Sequence, residues 1–408
     1  MKGSLIVLAI LAPLVAAPTA ALAAPAPTPV AARTAPIAAQ TGAAAEAAVE
    51  PAAVNPAAVN PAAANPAAAD PAAVDPAAVN PAAAVVPAAK AAAIEPVAAK
   101  AAAVLAADAS YRTLSSASHP DWMRSLPDST RLSVLSIPGT HNSMSIHGGA
   151  LTQTQENFGD SGATLARQLE AGIRMIDIRA RVNGGNTFTI HHGTFYQNAN
   201  FTDVLNVLRT FLAAHPGETV VMRLKQECTG EIGSCTDVSG QKSFPDIFDS
   251  YVSSLFWQPS VTRAAAAATP TLGAIRGKVV LAVLHGAFGG PIERYGLAQF
   301  GQWGNGSPYI QDNYSVPNIG AIATKRDQVR RHLDATSAGD PATMYVNFTS
   351  GASLFAQPQQ VAGGALWVQG VNPFLLGYLN EGHGLVRTGM VLLDFPGAGL
   401  IDKIISYN

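Results

Sequence analysis

The sequence predicts an α/β protein: an irregular TIM (β/α)8-type barrel, a single domain over residues 108–408, behind a disordered Ala/Pro-rich segment. Three observations predict it. Eight short runs rich in β-branched and apolar residues recur between 132 and 393, each closed by polar or glycine residues. Several are continuously apolar, as in Val220-Val221-Met222 and Val279-Val280-Leu281-Ala282-Val283, which suits strands of a parallel sheet buried on both faces. Helical periodicity fills several of the intervals between them. An open doubly wound sheet is the competing architecture.

In chain order the expected strands are 132–137, 175–180, 187–191, 219–224, 279–284, 308–311, 344–348 and 390–393. A helix is expected over 164–171, where Leu165 and Leu169 share a face. Another is expected over 201–214, where Val204, Leu205, Leu208, Phe211 and Leu212 recur at helical spacing. Thr202-Asp203 starts that second helix and Pro216-Gly217 stops it. Shorter helical patterns lie at 328–333 and 374–380. No helical pattern separates the second and third strands, hence an irregular barrel.

The chain has 408 residues, more than the barrel uses. Residues 1–24 read as a signal peptide: Lys2 gives a positive start, 5–17 is an apolar run, and Ala21-Leu22-Ala23 offers small residues for cleavage. The run is shorter than the roughly 20 residues of a membrane span and no later stretch qualifies, so a secreted, extracellular protein is expected. Residues 25–107 contain the repeat Asn/Asp-Pro-Ala-Ala-Val/Ala, with prolines at 51, 56, 61, 66, 71, 76 and 81. Proline removes amide donors and alanine has too little apolar area for a core, so this segment is expected to be an extended linker. A net charge of −2 gives no electrostatic case for nucleic acid or for anionic membranes. Cys228 and Cys235, in a Gly/Thr/Ser-rich loop of an exported chain, are expected to form a disulfide and not a metal site.

In such barrels catalytic side chains stand at the C-terminal ends of strands. There the sequence places His141-Asn142 after the first run, Asp177-Ile-Arg179 in the second, and His191-His192-Gly193 at the third. Arg223-Leu-Lys225-Gln-Glu227 follows at the fourth, and Asp394 ends the eighth. Any one alone would usually be a structural hydrogen bonder. Five strand ends that agree are a signal. Histidines titrating near 6.5 can take and give a proton near neutral pH, and an arginine between them can stabilise charge on phosphate oxygens. That set performs phosphoryl transfer without a metal or other cofactor. No serine stands in a nucleophile-elbow context, so a hydroxyl of the substrate itself could be the nucleophile.

Leu135-Ser-Ile-Pro-Gly-Thr-His-Asn-Ser, Gly172-Ile-Arg-Met-Ile-Asp-Ile-Arg, Ile190-His-His-Gly, Glu218-Thr-Val-Val-Met-Arg-Leu-Lys-Gln-Glu, Ile310-Gln-Asp-Asn-Tyr and Gly389-Met-Val-Leu-Leu-Asp, in that order, resemble the bacterial phosphatidylinositol-specific phospholipases C. The resemblance implies that His141 deprotonates the inositol 2-hydroxyl, which attacks its own phosphate. His192 would protonate the departing diacylglycerol oxygen, leaving a cyclic inositol phosphate. It further implies that Asp394 orients His141, that Arg179 binds phosphate with Asp177 in support, and that Lys225, Asp312 and Tyr314 hold the inositol ring beside Glu227. His192 is chosen over His191 because it directly precedes Gly193, as in the family. The implied partner is phosphatidylinositol in a membrane, touched peripherally by a monomer.

Three departures from the family's pattern matter. Asn142 replaces the usual Asp: an amide can hydrogen-bond His192 but cannot stabilise its imidazolium by charge, so a lowered His192 pKa is expected. Calcium-using relatives carry acidic residues where Arg179 stands, and a cation there would be repelled, so no metal is expected. Leu284-His285 stands where the family often has an arginine for inositol hydroxyls. The stretch after His141 is short and lacks tryptophan, so Phe355 and Trp367 are expected to form the rim that touches lipid. The alternatives are a phosphodiesterase of another lipid or glycerophosphodiester, and a non-catalytic inositol-lipid-binding module.

Overall fold

The computed structural model describes residues 109–149, 152–154, 160–227, 240–263, 266–285, 295–301, 303–304 and 307–408. The expected signal peptide, linker and Cys228–Cys235 disulfide lie outside the described residues. Among the described residues no helix is long and apolar enough to cross a membrane.

The main elements are β1 (Ile137–Thr140), α1 (Ser161–Ala171), β2 (Met175–Val182), β3 (Phe188–His192), β4 (Phe195–Asn200), α2 (Phe201–Ala214), β5 (Val220–Gln226) and β6 (Val279–His285). They continue with β7 (Ile310–Gln311), α3 (Ile322–Ala338), β8 (Val346–Phe348), β9 (Gly364–Ala365), β10 (Val368–Gln369), α4 (Val371–Glu381), β11 (Met390–Leu393) and α5 (Ala398–Ile405). Among the described residues seven strands run parallel in the order β6-β5-β2-β1-β11-β8-β7. No pairing joins β6 to β7 among the described residues, so the barrel wall is not closed.

Two expectations are corrected. The third run is not a wall strand. β3 lies antiparallel on the end of β2, with Ala180 opposite Ile190 and Val182 opposite Phe188, and folds back onto β4. His192 faces Phe195 across the two-residue turn Gly193-Thr194, and Gly193 has φ 55°. A glycine with positive φ leading a two-residue turn is hairpin chemistry, which explains why no helix follows β2. The first run also shifts: Leu132–Val134 is a 3-10 turn, and β1 begins only at Ile137. β1 then runs tightly against β2, since a Cβ on Gly139 would stand 2.8 Å from both the Cβ and the carbonyl oxygen of Met175.

The apolar core has three parts. Ile137, Met175, Val221, Val346 and Met390 fill the barrel interior where the strands begin. Ile176, Ile178, Met222 and Leu224 point the other way, against α1 and α2. Val391 and Leu393 pack outward with α3, α4 and α5. The interior is thus sealed by apolar burial at one end. Its polar residues gather at the other.

Candidate active site

Register sets the level of each polar side chain. Thr140 lies opposite Leu393, so His141 and Asp394 follow at the same height. Asp177 lies opposite Arg223, and Arg179 opposite Lys225. β1 and β11 both turn sharply one residue beyond: Asn142 has φ 44° and Phe395 φ 47°. Asn tolerates that region, whereas for Phe it is strained. The surroundings hold it in place. Phe395 N donates to Gln153 O at 3.0 Å, and its carbonyl accepts from Arg112 N at 2.9 Å. Asn372 Nδ2 donates to the carbonyl of Asp394 at 2.9 Å.

His141 Nδ1 is 2.9 Å from Asp394 Oδ1, and its Nε2 is 2.6 Å from Arg179 Nη2. With Nδ1–H donating to the carboxylate, Nε2 carries the lone pair and accepts from the guanidinium. Arg179 Nε and Nη2 donate to Asp177 Oδ2 at 3.3 and 3.2 Å, and Nη1 is 3.8 Å from Glu227 Oε1. Glu227 accepts from Gly193 N at 2.8 Å and from Lys225 Nζ at 3.2 Å, which ties the β3–β4 hairpin to the end of β5.

Burial sets the electrostatics, and neighbouring charges decide which way each group moves. Burial would raise Asp177, but Arg223 and Arg179 outweigh it and hold the carboxyl well below its usual range. Burial likewise opposes the Arg179 and Lys225 charges at Glu227, which ends at about 2. Lys225 falls to about 8, through burial and then the Arg179 charge. Burial raises Asp394, offset in part by His141. His192 is lowered to about 4 by burial, then Arg179. His191 is also lowered to about 4, by burial and then Arg181. The charges acting on His192 are those of Arg179, Glu227, His141 and Lys225, whereas those acting on His191 are Arg181 and Glu227.

Asn142 departs from expectation. Its side-chain Nδ2 lies 3.5 Å from Gln153 Oε1, its backbone N–H donates to Asp177 Oδ2 at 3.0 Å, and His192 Nδ1 is buried without a hydrogen bond. The lowered His192 pKa is therefore present, but burial and Arg179 cause it. Asp312 and Tyr314 follow β7; Tyr314 N donates to Asp312 O at 3.0 Å, and Ala352 N donates to Tyr314 O at 2.8 Å. Leu284 is buried in the cluster behind the wall and does not face the site.

Sequence reasoning named Arg223 without giving it a role, and missed Phe348 and Lys325. Arg223 shares a strand face with Lys225 and Glu227 and stands 3.4 Å from Asp177 Oδ1, a placement that strand alternation could have revealed. Phe348 meets the His141 ring edge-on at 5.9 Å. Lys325, buried on α3, donates to Gln311 Oε1 at 3.1 Å and Asn313 O at 2.9 Å, and burial lowers it to about 7. No pattern in the sequence marks it. Leu354, Phe355, Leu366 and Trp367 are 71–88 % exposed. Among the described residues, no group of three or more His, Cys, Asp or Glu side chains is arranged to hold a metal.

Residues 135–284 match the family model described as phosphatidylinositol-specific phospholipase C, X domain. The chain is 32% identical over 300 residues to the 1-phosphatidylinositol phosphodiesterase of Listeria monocytogenes, covering 72% of this chain and 86% of that one. It is 26% identical over 307 residues to the protein of the same name from Staphylococcus aureus strain Newman, covering 69% and 90%. The solved structure of the phosphatidylinositol-specific phospholipase C from Listeria monocytogenes aligns with a TM-score of 0.52 at 28% identity, over 71% of this chain and 99% of that one.

Proposed function

The chain belongs to the bacterial phosphatidylinositol-specific phospholipase C family and is an enzyme of that kind; from that premise we propose a metal-independent cleavage in which the inositol 2-hydroxyl attacks its own phosphate. The observation that carries this reading is the contact chain Asp394–His141–Arg179, with His192 in the same cluster. His141 Nε2 takes the proton of the 2-hydroxyl, and Asp394 holds the required tautomer through Nδ1–H. As the new oxygen–phosphorus bond forms, the bond to the glycerol oxygen breaks and His192 protonates that oxygen. The products are diacylglycerol and inositol 1,2-cyclic phosphate. Arg179 turns its donors to the phosphate oxygens and stabilises the charge that builds there. His192, neutral in the free enzyme at pH 7, becomes an acid when the phosphodiester anion lies beside it, because an opposite charge favours the imidazolium. Lys225, Glu227, Asp312 and Tyr314 hold the ring.

Metal independence is supported by the pairing of Asp177 and Glu227 with Arg179, Arg223 and Lys225, which leaves a divalent ion facing guanidinium charge. Membrane contact is supported by the β9–β10 hairpin. Its two-residue tip is Leu366-Trp367, and Leu366 carries φ 54°, a strain that a branched apolar residue rarely bears. Gln369 accepts from Arg326 in the second turn of α3 at 2.9 Å, which puts the hairpin at the end of the barrel where β7 finishes. The pattern in residues 1–24 supports export, and we read residues 25–107 as a spacer before a monomeric enzyme.

The deciding experiment is incubation with phosphatidylinositol in mixed micelles, followed by phosphorus NMR, with and without chelator. Cyclic inositol phosphate should appear in both, and His141→Ala or His192→Ala should each slow its formation by roughly 10²- to 10⁴-fold. No cyclic product from the intact protein would sink the reading. Loss on chelation that calcium restores would overturn the metal-free mechanism.

A further inference from the structure

A second polar cluster lies one layer below the ring-holding residues, and apart from Asp177, which supports Arg179, the cleavage steps make no use of it. Arg223 is 4 % exposed, with its guanidinium 4.9 Å from the centre of the Trp303 ring and 5.7 Å from that of Phe348. Its ionic partner is Asp177 Oδ1 at 3.4 Å, while the other oxygen of that carboxylate is taken by Arg179 and by the backbone of Asn142. Three polar atoms here are buried without a hydrogen bond: Arg223 Nε, Trp303 Nε1 and Asp177 Oδ1. The Phe348 ring contacts both Trp303, at 6.3 Å, and His141, at 5.9 Å, so one aromatic floor runs from the proposed base to this cluster.

Buried donors and acceptors are nearly always satisfied, and an arginine cannot shed its charge to escape the cost. Stacking on aromatic faces holds the guanidinium plane without satisfying its N–H edge. The unfilled set comprises two donors and one acceptor. A hydroxyl complements it, because a hydroxyl both accepts and donates. A phosphomonoester dianion can only accept, and so leaves the acceptor Asp177 Oδ1 unmatched.

We propose that Arg223, Trp303 and Asp177 Oδ1 form a subsite that recognises a ring hydroxyl of the inositol headgroup, with Arg223 as a specificity-determining residue. The proposal rests on the reading of this site as an inositol-lipid phosphodiesterase. It is tested by steady-state kinetics on phosphatidylinositol and on analogues lacking a single ring hydroxyl at position 3, 4, 5 or 6, with wild type, Arg223→Gln, Arg223→Lys and Trp303→Phe. Arg223→Gln should lower kcat/KM on phosphatidylinositol by about 10- to 100-fold, the worth of a hydrogen bond to a charged group. On one analogue, already poor with wild type, the same substitution should cost little more. Trp303→Phe should show a smaller loss with the same non-additivity, and it carries the test if Arg223→Gln does not fold.

An equal loss on every analogue would assign Arg223 to supporting Asp177 and overturn the subsite. So would no loss at all, or a loss confined to ring-phosphorylated substrates. Inactivity of the wild type on phosphatidylinositol would instead overturn the function on which the proposal stands.

Discussion

Burial, and after it the Arg179 charge, keeps His192 neutral, and the same guanidinium lies 2.6 Å from His141 Nε2. Arg179→Gln should therefore raise the His192 pKa above about 4, though burial, the larger cause, keeps it below 6.5. The same variant should lose on the order of 10²- to 10³-fold in kcat, as removal of a charge-stabilising donor does. Histidine NMR titration reads the first effect, and an unmoved His192 would show that the guanidinium does not govern it. Much of this cluster was legible in the sequence. Asp177 and Arg179 follow from strand alternation, and His141 and Asp394 from their places at strand ends. The partner of Asn142 was not legible. Alternation stops at a residue with positive φ, and the amide turned to Gln153 instead of His192.

α3 shows why one element was read at only a third of its length. Its buried stripe is Ile322, Lys325, Val329, His332, Leu333 and Thr336, at helical spacing throughout. Half of that stripe is polar, so the apolar periodicity visible in the sequence shrinks to the span around Val329 and Leu333. Lys325 has a consequence for stability. Its pKa is about 7 folded and about 10.4 unfolded, so between those values the unfolded chain holds a proton that the native chain lacks. Its contribution to stability thus rises as pH climbs from about 7 to 10. Lys325→Met should flatten that rise in calorimetric scans; an unchanged slope would mean that the amine does not titrate as placed. The β9–β10 hairpin carries a different expectation. Trp367→Ala should weaken binding to phosphatidylcholine vesicles containing phosphatidylinositol by about tenfold, while cleavage of a short-chain, water-soluble phosphatidylinositol stays unchanged. Equal loss on both would place Trp367 in the fold and not at the lipid.

The barrel class was legible because buried parallel strands announce themselves as continuous apolar runs: six of the eight expected runs overlap wall strands, and the first meets its strand only at Ile137. The third was miscounted, since β-branched residues mark a strand without marking its direction. Gly193-Thr194, the turn that reverses the chain, was read only as family punctuation. That reversal divides the proposed acid and base between parts of unequal hold. His141 follows a strand flanked on both sides within the wall. β3, which carries His192, meets β2 only from Ala180 to Val182. Short, edge-lying segments open at lower free energy than the body they join. Heat should therefore silence this enzyme before it melts, with activity falling reversibly while the calorimetric transition lies several degrees higher and the amides of 188–200 exchange early. Coincident midpoints would show instead that the hairpin shares the fate of the barrel.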